Sequence, residues 1–223
     1  MIKLEYAGKN EIQTDRAEVL RYLGYKRGSG AEIPLVVVEC INEIHSALQC
    51  KACYDRFKIS EKENGTLNLG FAETSSAALR KNLSGCDEII VFTATIGFEV
   101  DRIIQKYSIL SPAHAVTAQA AGAAAIEKWC DLLCERFKQR CISEKRYLRP
   151  RFSPGYGDLS IKLQSDIIHI LDCTRKIGVS LTDSLMMLPG KSVSAIIGIS
   201  NKDIGCRSGC EVCENTQCEF RRT

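Results

Sequence analysis

The sequence has almost no surplus of charge: 30 Lys and Arg stand against 27 Asp and Glu, a net of +3. So even a balance leaves no large field to hold a nucleic-acid backbone, and no nucleic-acid partner is expected. Long apolar runs are missing too, each falling well short of the ~20 residues that a bilayer-spanning helix needs. The opening stretch Met1–Glu11 has no apolar secretory core, which makes a cytoplasmic chain with no membrane partner the expectation. No internal repeat, charge block or low-complexity linker divides the sequence, so a single domain is expected over residues 1–203. What is present suffices for a substantial core, since 45% of the 223 residues are apolar.

Periodicity then orders the chain. Ala17, Leu20 and Leu23 predict a helix over 11–23, with Thr14 and Asp15 as caps, and Gly28, Ser29 and Gly30 read as a turn. Val37, Ile41, Ile44 and Leu48 predict a helix over 35–49, and a shorter one follows Thr74 over 74–83. The run Ile89, Ile90, Val91, Phe92 reads as a strand buried on both faces. After Gly97 the helical period returns, and Ser111-Pro112 opens a long helix to about Cys141. Its alanines, Ala115 to Ala125, leave a surface so low that another backbone or a partner can approach closely. Asp158 is expected to cap a helix through Leu163, Ile167 and Leu171, with Gly178 as its left-handed stop. Two alternating stretches, Val179 to Leu185 and Val193 to Ile199, flank Pro189-Gly190 and predict a hairpin. Strands arriving singly and as a hairpin among helices make the fold class α+β.

Chemistry concentrates in Arg149-Pro150-Arg151-Phe152-Ser153-Pro154-Gly155-Tyr156-Gly157-Asp158, where prolines and glycines fix an irregular backbone before a helix. Arg151 offers a planar fork of donors suited to a carboxylate. Gly155 lets a ligand reach the main chain, and Tyr156 presents a ring face and a hydroxyl. A compact zwitterion with an aromatic base would be served by these groups; the plainer alternative is a rigid surface turn whose arginine pairs with a local acid. The histidines are less informative: His45, His114 and His169 sit on helices, and none accompanies a nucleophile motif.

Arg151 to Tyr156, followed by Ile177-Gly178 and then Leu181-Thr182-Asp183-Ser184 with Pro189-Gly190-Lys191-Ser192-Val193-Ser194, resembles the activation domain of cobalamin-dependent methionine synthase. The family pattern is approximately R-P-A-P-G-Y, an I-G step, then L-T-E-S and P-G-x-S-V-S. The upstream stretch Glu88 to Asp101 is similar to stand-alone bacterial relatives, so the resemblance covers about residues 70 to 200. It implies a twisted antiparallel sheet flanked by helices, and S-adenosylmethionine as the bound cofactor. It also implies a role in trans: reductive remethylation of cobalamin on a separate methionine synthase or other corrinoid protein, with a reductant protein supplying one electron. Cobalamin would be met only through that partner. Carried over residue by residue, Arg151 matches the arginine that grips the ligand carboxylate, Pro154, Gly155 and Tyr156 match its main-chain contact region, and Glu144 resembles an upstream acid, one residue farther from the motif. The sequence departs from the family where Gly157-Asp158-Leu159-Ser160 replaces P-A-C-P-D-H, and where an aromatic pair is absent after Ser200. A non-catalytic docking partner for a corrinoid protein is the alternative reading.

Cysteine is the residue in excess, with twelve in the chain. Eight are scattered from Cys40 to Cys173 in the manner of buried thiols in a reducing cytosol. The other four form a distinct tail over 204–223, spaced Cys206-x3-Cys210-x2-Cys213-x4-Cys218. Cys210-x2-Cys213 gives the short chelate loop that zinc or an iron-sulfur cluster uses, and Cys206 and Cys218 complete four thiolates. The same spacing occurs in radical S-adenosylmethionine enzymes, but only ten residues follow Cys213, too few for their barrel. The tail therefore predicts a metal site, or a metal or iron-sulfur electron-transfer accessory.

Overall fold

The computed structural model describes residues 1–25 and 34–203. Its elements, in chain order, begin with β1 (Lys3–Ala7), a 3-10 turn (Lys9–Glu11), α1 (Arg16–Tyr22), α2 (Leu35–Ala47) and β2 (Cys50–Lys58). Short strands β3 (Ser60–Glu61), β4 (Leu67–Asn68) and β5 (Glu73–Thr74) lead to α3 (Ala77–Asn82) and β6 (Cys86–Thr95). Then come α4 (Phe98–Leu110), α5 (Pro112–Ser143), β7 (Tyr147–Leu148), α6 (Leu163–Ile170) and α7 (Cys173–Ile177). Strands β8 (Ser180–Leu181), β9 (Met187–Leu188) and β10 (Ser192–Ser200) complete the described chain. None of the described helices is long and apolar enough to cross a membrane.

The main sheet runs β1-β2-β6-β10-β7, and every neighbouring pair is antiparallel. β6 lies at its centre, and its side chains alternate between two cores as a period of two requires. Ile90, Phe92 and Ala94 join the core beneath α1, α2, α4 and α5, while Ile89 and Val91 join the one beneath α3, α6 and α7. The double burial expected of this run is therefore observed, and so is the α+β class, built on a curled antiparallel sheet with helices about it.

The 32-residue α5 spans about 48 Å at 1.5 Å per residue. Its alanine face is covered by the chain's own α2 and α4, not left open to a partner: Ala118, Ala121 and Ala125 are fully buried. A Cβ at Gly122 would meet Lys191 Cε at 3.0 Å and Val100 Cγ1 at 3.3 Å, so small residues here set how closely these elements approach.

Several sequence expectations are corrected. The first helix begins at Arg16, because Asp15 alone caps it, accepting the Ala17 N–H at 2.8 Å. The predicted hairpin does not form: Ser180 and Leu181 pair with Leu188 and Met187, whereas β10 pairs with β6 and β7. Thr74 does not cap α3; Ser76 does, accepting the Leu79 N–H at 3.1 Å. The turn at Gly28 to Gly30 lies outside the described residues.

Candidate functional site

The stretch Arg149 to Asp158 leaves β7 as an added edge along β10. The Arg149 N–H donates to the Gly198 carbonyl at 2.8 Å, and Phe152 and Ile196 exchange two backbone hydrogen bonds at 2.8 Å each. Pro154 then turns the chain out, and Gly155 takes φ +90°, a left-handed conformation that costs glycine nothing. The bend closes on itself, with Gly155 N–H donating to the Leu159 carbonyl at 2.9 Å and Leu159 N–H donating back to Tyr156 at 3.0 Å.

Asp158 fastens this bend to the neighbouring helix, and not to the helix that follows it as the sequence suggested. Its carboxylate accepts the Ser76 hydroxyl and the N–H groups of Ala77 and Ala78, the latter two at 2.7 and 3.1 Å. The Ser76 hydroxyl first, and then those amides, hold its carboxyl below the usual range. Two of the orphan donors that open α3 are thus satisfied from about 80 residues away.

Beside the bend lies a cavity of about 430 Å³. Arg151, Pro154 and Tyr156 form one wall, Glu127 of α5 another, and Ser192 and Ser194 of β10 the floor. Gln164 of α6 also lines it; Ser194 Oγ donates to Gln164 Oε1 at 3.3 Å, and Gln164 Nε2 donates to the Leu185 carbonyl at 2.8 Å. On its other side Arg151 borders a wider groove of about 800 Å³ between α5 and β7.

Charge in the cavity is concentrated at Arg151. Its fork donates to Glu127, in a short contact, and to Asp131 at 2.9 Å, two acids one turn apart on α5. Burial works against the guanidinium charge, but the adjoining Cys130, then Glu127, Cys134 and Asp131, outweigh it, so the pKa of Arg151 is raised. Tyr156 is 68% exposed, its ring at the mouth of the cavity. The site therefore presents a fixed cation, a carboxylate beside it and an open aromatic face.

Of the residues singled out from sequence, the fold brings Arg151, Pro154 and Tyr156 to one cavity, with Gly155 shaping the bend between them. Glu144 does not join them. It ends α5 and pairs with Arg56 at 2.7 Å, away from the cavity lining. Cys206, Cys210, Cys213 and Cys218 lie outside the described residues, and among those described no cluster of His, Cys, Asp or Glu is arranged to hold a metal. Glu127 and Gln164 were not singled out from sequence; Ser192 and Ser194 carried a signal, two residues apart in a strand and so on one face.

Residues 76–204 match the family model described as the activation domain of vitamin B12 dependent methionine synthase. The chain belongs to this family. The activation-domain match begins at Ser76, the residue that Asp158 fastens, and takes in every wall of the cavity. Among solved structures, the MetH reactivation domain bound to AdoHcy is similar with a TM-score of 0.68 and 15% identity, over 93% of this chain and 81% of that one. At that identity the likeness is one of fold, and at 93% of the chain it extends well past the family match. No curated protein matches the chain.

Proposed function

We propose that the chain is an S-adenosylmethionine-binding reactivation subunit that acts in trans on a cobalamin-dependent methionine synthase or related corrinoid protein. The observation that carries this reading is the meeting of Arg151, Glu127 and Tyr156 around a cavity of about 430 Å³ in an activation-domain chain. The bound AdoHcy of the MetH reactivation domain supports the ligand class, since AdoHcy is S-adenosylmethionine without its sulfonium methyl.

The donor set fits the amino-acid end of such a ligand. Arg151 receives the carboxylate on its fork, a geometry that a lysine cannot reproduce. Its two present partners differ in exposure, 57% for Asp131 against 35% for Glu127, so Asp131 is the partner that yields to the ligand at lower cost in desolvation. Glu127 then stands beside the ligand ammonium. The Tyr156 ring offers a stacking face to the adenine, and the Gly155 main chain lies open for want of a side chain. Because α5 holds both acids one turn apart, the guanidinium is aimed before the ligand arrives, and orientation is what a methyl transfer most needs. When bound, S-adenosylmethionine supplies a sulfonium methyl to the reduced cobalt of a partner's corrin, a reductant protein having supplied the electron. No proton is lost in such a transfer, so the cavity needs no general base.

Reconstitution tests this directly. A methionine synthase lacking its activation domain, with its corrin in the Co(II) state, is mixed with this chain, S-adenosylmethionine and a reductant. Return of the methylcobalamin absorption band and of turnover is expected. Failure of both, under conditions where the intact synthase recovers, contradicts the trans role.

A further inference from the structure

Cys53 in the middle of β2 and Cys173 at the start of α7 are 120 residues apart in sequence, yet their Sγ atoms lie 3.5 Å from each other. Both side chains are fully buried. Cys53 is held between neighbours on both sides, opposite Leu4 of β1 and Thr93 of β6, and belongs to the most constrained part of the sheet. Cys173 is held differently. Its helix has five residues and is entered through Asp172 in the left-handed region at φ 48°. So short a helix gains few internal hydrogen bonds, and opening it costs far less than opening the sheet.

We propose that Cys53 and Cys173 are a redox-active thiol pair that closes reversibly to a disulfide by exchange with a low-molecular-weight disulfide, stapling α7 to β2. The sulfurs must close from 3.5 Å to about 2.05 Å, a movement that the short α7 can supply without disturbing the sheet. In the first step the Cys173 thiolate attacks one sulfur of the small disulfide; a mixed disulfide forms and one small thiolate leaves. In the second, Cys53 gives its proton to solvent and attacks the Cys173 sulfur; the protein disulfide forms and the second small thiolate leaves. Two protein thiols are oxidised, one disulfide is reduced to two thiols, and the released protons end on the departing thiolates. The order of attack follows from the fold: Cys173 sits at the start of the short α7, which can open to meet the small disulfide, whereas Cys53 is held between β1 and β6.

The experiment is a peptide map of the full chain after incubation with oxidised glutathione, with free thiols alkylated in denaturant before digestion. A cross-linked peptide pair containing Cys53 and Cys173, lost on treatment with dithiothreitol, is expected. The Cys53→Ser variant should accumulate glutathione on Cys173, because the resolving thiol is gone. Alkylation of both residues after other cysteines have been consumed overturns the proposal, as does capture of either one by a different cysteine. The wild-type map decides the matter even if the variant does not fold.

Discussion

Phe137 tests the packing that fixes α5 and with it the two acids that aim Arg151. Its side chain is 1% exposed, with ring centroids 4.7 Å from Tyr54 and 6.0 Å from Phe92. Truncation to alanine removes most of a buried ring, and a long helix packed on a sheet cannot collapse into the gap. Transfer and cavity costs together are about 3–5 kcal/mol for such a change. Against a typical domain stability of about 5–15 kcal/mol that is a large loss. With a urea dependence of about 2–3 kcal/mol per molar, the unfolding midpoint should fall by about 1–2.5 M. Phe137→Leu keeps most of the volume and should fall by less than half as much. Trp129, the single tryptophan, is fully buried, and its indole N–H donates to the Lys51 carbonyl at 3.2 Å, so its fluorescence reports the transition. An alanine variant whose midpoint stays within about 0.3 M of wild type would refute this account of how α5 is seated.

Three further outcomes are expected. Because the folded pKa of Asp158 is depressed, its contribution to stability is present above the ordinary value of 3.8 and is lost as pH falls through the lower, folded value. Asp158→Asn should therefore flatten the acid limb of stability against pH, and urea midpoints that fall in parallel for both proteins would contradict the capping role. Gly155→Val forces a β-branched residue into φ +90° with its Cβ 3.2 Å from Ile161 Cδ1, and should lower stability by about 1–2 kcal/mol in a thermal melt while weakening ligand binding. An unchanged melt would show that the bend is not under this constraint. Anaerobically purified chain should carry zinc or an iron-sulfur chromophore that is lost when Cys206, Cys210, Cys213 and Cys218 are replaced by serine; a colourless, zinc-free preparation contradicts the metal reading of the tail.

The parts of the fold legible in the sequence are those where one physical signal dominates. The apolar run at Ile89 to Phe92 announced a strand covered on both sides, and Ser111-Pro112 marked the start of α5 to the residue. β2 was not legible: in Cys50–Lys58 the buried Ala52, Cys53 and Tyr54 run together between Lys51 and Asp55, so neither a clean period of two nor a long apolar run appears. The hairpin expectation failed because alternation shows that a segment is a strand but not which strand it joins. In the site, Arg151, Pro154 and Tyr156 share one short stretch and could be found together. Glu127 could not, since it reaches Arg151 only because α5 passes behind the bend 24 residues away in sequence. Asp158 likewise had the chemistry of a cap, and only the tertiary fold determined which helix it caps.

The central claim is that Arg151 holds the amino-acid end of S-adenosylmethionine, and calorimetric titration of that ligand into wild type and Arg151→Ala measures it most directly. Charge-assisted hydrogen bonds to a partly buried fork are worth about 1.5–3 kcal/mol, so the account predicts saturable binding by wild type and an affinity roughly 10- to 150-fold weaker in the variant. No heat with folded wild type, or equal affinity in the two proteins, would contradict it.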